Sequence, residues 1–237
     1  MNELTIAILC ALGAGAAIPA GALLAHHEEI APGWLKNDGR HAIIAFGGGA
    51  LIAAVALVLI PDGIARTPLW LGAAAFAAGG GAAYLIDGML ARRGGGGAQL
   101  VAMLLDFAPE AAAMGATFAV DRRAGYFLAA LIAVQNLPES FSAYREIRQG
   151  GRPPYRAVLA AFCALVVIGP LAAVLGQTLL ADRPMVLGCV MLAAAGGILY
   201  LVFEDVAPQA RLENARAPAL GAVGGMLLGV VGHALTG

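Results

Sequence analysis

Two stretches of the chain set carboxylates, amides and a proline among apolar residues: LLDFAPEAAAMG at 104–115 and AVQNLPESFSAY at 133–144. Aligned on Pro-Glu, Asp106, Pro109 and Glu110 fall on Gln135, Pro138 and Glu139, each 29 residues apart. On a helix, a spacing of four residues puts Asp106 and Glu110 on one face, and does the same for Gln135 and Glu139. Asn136 adds a second amide beside Gln135. Three clustered carboxylates repel one another when ionised, so a cation or shared protons must intervene. A divalent metal would neutralise two charges and accept the oxygens as ligands. Each proline also denies its helix one hydrogen bond, which would free the carbonyls of Leu105 and Val134. Helices broken at mid-membrane, with unwound backbone turned toward an ion, are a recurrent device of transporters.

The elements that must hold these residues are legible from composition. Of 237 residues, 60% are hydrophobic and 12% charged, about half the charged fraction of an ordinary soluble domain. Stretches near the roughly 20 residues needed to cross a bilayer recur at 4–25, 42–60, 69–86, 98–120, 124–144, 157–180, 185–203 and 217–235. Backbone polar groups in lipid need partners within their own segment, and the alternating pattern of a barrel is absent. The predicted fold is therefore all-α, a polytopic membrane protein with eight transmembrane helices in one domain spanning 1–237. The first segment has no basic n-region and reads as a helix that stays. Glycine runs such as FGGGALIAA and FAAGGGAAY suit close helix packing. A net charge of −1 gives no reason to expect a nucleic-acid partner. The three cysteines, Cys10, Cys163 and Cys189, stand at no metal-ligand spacing and read as small packing residues.

Lysine and arginine set the orientation. Ten of them (Lys36, Arg40, Arg92, Arg93, Arg145, Arg148, Arg152, Arg156, Arg211 and Arg216) fall on one side of the eight-helix plan, and four (Arg66, Arg122, Arg123 and Arg183) on the other. The positive-inside rule puts the first set in the cytoplasm and both termini outside. On that cytoplasmic side stand His26, His27, Glu28 and Glu29 after helix one, and Glu204 and Asp205 at the end of helix seven. They read either as an exit-side metal set or as charged helix ends. Asp62 near the outer end of helix two would attract incoming cations, Asp87 reads as interfacial, and His233 as structural.

The doubled x-x-x-Pro-Glu signature on helices four and five resembles the ZIP family of divalent metal transporters, whose motif is His-Asn-x-Pro-Glu-Gly. The resemblance extends to eight helices, both termini outside, and the FEDVAPQ ending of helix seven. It implies a divalent cation as cargo, with Zn, Mn, Fe, Co and Cd as candidates, moved toward the cytoplasm between helices four and five. It further implies a homodimer in a bacterial cytoplasmic membrane, with no organic cofactor. Carried over residue by residue, the metal site would be Asp106, Glu110, Gln135 and Glu139, joined by Asn136. An exit-side set would comprise Glu204, Asp205, His26 and His27. The departures are specific. Asp106 stands for the leading histidine, Phe107 for the asparagine, and Ala111 and Ser140 for the glycines after Pro-Glu. Gly169 precedes Pro170 where many members carry a glutamate, so a mononuclear site is expected.

Two other functions fit parts of the pattern: a membrane sensor that binds metal without moving it, and an intramembrane metalloenzyme. The sequence has no His-Glu-x-x-His motif and no nucleophile with a paired base, so no enzymatic activity is expected. Ligand chemistry carries the sharpest expectation. Imidazole suits zinc, whereas carboxylate and amide oxygens suit harder cations such as Mn²⁺, although zinc also accepts carboxylate. Asp106→His should shift the preference of the purified protein toward Zn²⁺ over Mn²⁺ by about tenfold. Competition between the two metals measures it, and an unchanged ratio would show that Asp106 is not a ligand.

Overall fold

The computed structural model describes residues 2–30, 39–93, 98–149, 153–211 and 217–236. Within the helices, the side chains of 28–30, 90–93, 98–99, 101–102, 105–106, 149 and 236 fall outside that description. The described chain is all-helical, with eight helices. They are α1 (Glu3–Ile30), α2 (Arg40–Arg66), α3 (Leu69–Arg93), α4 (Ala98–Phe118), α5 (Arg122–Gln149), α6 (Tyr155–Leu180), α7 (Pro184–Ala210) and α8 (Ala217–Thr236). Among the described residues, six are long and apolar enough to cross a membrane, namely all but α4 and α5. The interruption of α5 by Gln135, Asn136 and Glu139 lowers its apolarity, and α4 is described only in part.

The helices run past the apolar stretches that announce them. Helix α5 continues to Gln149 rather than ending at 144, and α7 to Ala210 rather than 203. Charge ends a hydrophobic stretch but not a backbone hydrogen-bond ladder, so Arg145, Glu146 and Arg148 remain helical. The connection between α4 and α5 has the three-residue length of the apolar pattern but lies two residues earlier, at 119–121. Asp121 Oδ1 accepts from the backbone N–H groups of Arg123 at 2.8 Å and Ala124 at 3.1 Å, satisfying donors that a helix start leaves open. This cap ends the turn at once and makes α4 and α5 antiparallel neighbours, so Glu110 and Gln135 face each other. The Arg122 guanidinium also pairs with the Glu3 carboxylate, tying the starts of α5 and α1 together.

Neither proline breaks its helix: α4 runs on through Pro109 and α5 through Pro138. Wide turns, closed by i→i+5 hydrogen bonds, occur instead at Val55–Leu59 in α2, Gly176–Leu180 in α6 and Val202–Val206 in α7. Helix α6 is interrupted at residues 166–167.

The most extensive pairings are α2 with α8, α1 with α5, α2 with α7, and α3 with α7, followed by α4 with α6 and α4 with α5. In lipid, apolar side chains gain little by meeting one another, so close approach of backbones must carry the packing. Glycines stand at these crossings. A Cβ at Gly49 would strike the Ala222 carbonyl of α8, one at Gly79 the Ala193 carbonyl of α7, and one at Gly115 the Ala173 carbonyl of α6. Helix α3 contributes little to the interior, with 6% of its most apolar window buried against 67% for α2, so its Trp70, Tyr84 and Leu85 face outward.

The α1–α5 crossing is the one that positions the site. A Cβ at Gly21 would meet both Ser140 Oγ and the Leu137 carbonyl. Gly21→Ala should therefore cost about 1–3 kcal/mol through overpacking, read as a lower unfolding midpoint in detergent. Gly13→Ala and Gly81→Ala, where a Cβ meets nothing within 4 Å, should stay within about 0.5 kcal/mol of the parent. Equal effects at all three would show that α1 and α5 are not in backbone contact at Gly21.

Candidate functional site

The antiparallel α4–α5 pair brings Glu110 against Gln135. Gln135 Nε2 donates to Glu110 Oε2, with both side chains at 2% exposure or less. A buried carboxylate needs compensation, and one amide donor supplies part of it. Glu110 Oε1, Gln135 Oε1 and Asn136 Oδ1 are all buried without a hydrogen-bond partner among the described residues. All three are acceptors, so a proton donor or a cation would satisfy them.

The other members of the set lie around this pair. Asn136 is fully buried and turned toward α1, where its Nδ2 donates to the Ala14 carbonyl at 3.0 Å. Ser140, one turn on, donates to the Asn136 carbonyl at 2.6 Å. Asp106 sits one helical turn before Glu110 on α4, and its side chain lies outside the described residues. Glu139 is half-buried and faces a different space from Asn136, a narrow pocket of about 40 Å³ between α2, α5 and α7. Pro138 forms part of its wall, its ring lodged where a Cβ at Gly47 would otherwise lie. Met103 of α4 and Asp205 of α7 also line this pocket.

The pocket adjoins a wider cavity of about 520 Å³, with which it shares Ile44, Ser142, Asp205 and Gln209 as walls. His41, Arg40, Arg145, Glu146 and Arg211 complete much of the larger space. His41 and Glu146 are functional candidates that the motif does not announce. For Glu146 a signal exists: it follows Glu139 by seven residues, two helical turns on the same face. His41 has none, because its place depends on how α2 approaches α5.

The exit-side residues divide. Asp205 lines both cavities, while Glu204 is exposed on the wide turn at Val202–Val206. His26 belongs to another contact. Its Nδ1 lies 2.9 Å from the Tyr144 hydroxyl, and its ring stacks on Tyr155 at 3.8 Å between centroids, joining α1, α5 and α6. His27 is exposed, and the side chains of Glu28 and Glu29 lie outside the described residues. Among the described residues, no three His, Cys, Asp or Glu side chains gather as a metal group; amide oxygens and Asp106 stand outside that count. Asp62 is paired with Arg66 at 3.5 Å, and Asp87 accepts from the Tyr200 hydroxyl at 3.1 Å.

Phe107 is 1% exposed, with its ring directed at Gly169 of α6 and Gly15 of α1. A Cβ at Gly169 would lie 2.5 Å from the Phe107 ring, so the small residue and the large one fill a single volume. Compared with known proteins, the chain matches no protein-family model and no curated sequence. Phe107→Ala should cost about 3–5 kcal/mol, the usual price of an aromatic cavity, measured as a fall in the unfolding midpoint. A loss below about 1 kcal/mol would show that the ring is not packed against Gly169.

Proposed function

We propose that this chain is a divalent-metal transporter of the ZIP type, with both termini outside, carrying its cargo toward the cytoplasm between α4 and α5. The observation that carries the reading is the set of buried oxygens at the α4–α5 centre. Glu110 and Gln135 each keep an oxygen acceptor without a partner among the described residues, at a depth where such groups normally face a partner or an ion path.

In this reading Glu110 and Gln135 form the inner half of the site and Asp106 completes the α4 side. The hydrogen bond between Gln135 and Glu110 orients the two side chains and leaves one oxygen on each for the metal. Glu139, on the wall of the narrow pocket, receives the ion as it leaves that centre. Asp205 and Gln209 line both the pocket and the wider cavity, so a cation released from Glu139 meets a second carboxylate at once. The basic residues around the wider cavity support putting it on the cytoplasmic side. The Phe107 ring on Gly169 occupies space beside the α4 motif and supports a single metal rather than a pair. A homodimer would use the outward apolar faces, of which α3 is the most exposed.

A transporter is favoured over a sensor by the two adjoining cavities, which give the bound ion a way out. A sensor needs the centre alone. Glu110→Ala and Glu139→Ala should each abolish metal uptake into proteoliposomes while the protein still inserts, because each removes a ligand and leaves its neighbours uncompensated. Flux equal to the parent in either variant would remove that residue from the path. Metal binding without flux in the parent would establish the sensor instead.

A further inference from the structure

The narrow pocket beside Glu139 has a neighbour besides the wider cavity. A groove of about 310 Å³ lies between α2, α7 and α8, and Gly48 and Val206 line both the pocket and the groove. A Cβ at Gly48 would lie 2.9 Å from Val206 Cγ1. The partition at this point is therefore a glycine hydrogen against one isopropyl group. Val206 is half-buried and ends the wide turn of α7.

The groove faces lipid. Ile52 and Ala219 on its walls are exposed, and all three helices are apolar enough to cross a membrane. Every residue that lines it except Arg211 is apolar or glycine. Most of the pocket is apolar too, with Ile44, Leu51, Met103 and Leu201 among its walls. Such walls suit a molecule that gives up little hydration on entering, because a charged one would lose water without polar partners to replace it. The groove alone reaches the lower end of the roughly 300–1,000 Å³ range of small-molecule sites.

We propose that the groove and the Glu139 pocket form one binding site for an uncharged, lipid-soluble small molecule, which enters from the bilayer past Val206. A molecule that passes the partition stands against Glu139 and Asp205, both of which line the pocket. The side opening does not depend on the transport reading. Where that reading also holds, the occupant closes the way by which the cation leaves Glu139.

The test is labelling of the purified full chain in lipid vesicles, at mildly acidic pH, with dicyclohexylcarbodiimide, which is uncharged and lipid-soluble. A water-soluble, cationic carbodiimide is the comparison. A carboxylic acid adds across one C=N bond, its proton passing to nitrogen and its oxygen to carbon. The acyl group then migrates to nitrogen as a stable N-acylurea, which mass spectrometry locates in the chain. The lipid-soluble reagent should modify Glu139 or Asp205. Val206→Ala should speed that modification about tenfold, the value of the two methyl groups it removes from the partition, and leave the water-soluble reagent unaffected. Ala219→Phe, at an exposed position of the groove, should slow it. No modification by the lipid-soluble reagent, or an equal response of both reagents to Val206→Ala, would overturn the proposal. Parental rates in both variants would show a groove that ends at Val206 and holds only lipid chains, which would overturn it as well.

Discussion

A carboxylate at the centre of a lipid-embedded bundle has to be answered by other groups, and Glu110 sets the terms for everything around it. An amide reaching across from α5 supplies one hydrogen bond. That reach requires α4 and α5 to be antiparallel neighbours, which the Asp121 cap secures by ending the connecting turn within a few residues. It also requires both helices to be shielded from lipid, so the least apolar helix of the chain is held inside by its more apolar companions. Helix α1 closes one side with the Asn136–Ala14 hydrogen bond and the Glu3–Arg122 pair. Helix α2 closes another, with Gly47 against Pro138.

Small residues make this shielding close enough to matter. At the α2–α8, α3–α7 and α4–α6 crossings, a glycine on one helix lies against a carbonyl on the other. With little hydrophobic gain between helices in lipid, stability accrues from dispersion and close backbone approach. Such packing is also discrete. A helix pair seated glycine against carbonyl has few intermediate positions, so groups of helices move as bodies if they move at all.

Much of the architecture was readable before the fold. Eight helices follow from apolar stretches of nearly constant length. Helix ends were less readable, because hydropathy responds to charge while the backbone ladder responds to caps. The unbroken course of α4 and α5 through their prolines was not readable either. The ring of Pro138 is received by Gly47 of α2, a neighbour that no local pattern reveals. The same reason hides His41, the Phe107–Gly169 fit and the arginine cavity. Each arises from the approach of segments far apart in sequence, where no periodicity links the partners. His26 shows the converse. Its position beside His27 suggests a metal relay, but the fold spends it on Tyr144 and Tyr155.

The three wide turns have a consequence for ancestry. A turn closed by i→i+5 bonds holds one residue more than an α-helical turn and rotates all that follows by about a residue's angle. Such a turn is what one inserted residue would leave inside a helix. Downstream of Val55–Leu59, Gly176–Leu180 and Val202–Val206, any relative without the matching insertion will align in structure only across a one-residue gap. Gaps within helices are the ones that sequence comparison penalises most. Asp205 lies inside one such turn and Arg211 just beyond it, so in relatives their counterparts should be sought one position away from where an ungapped alignment would point.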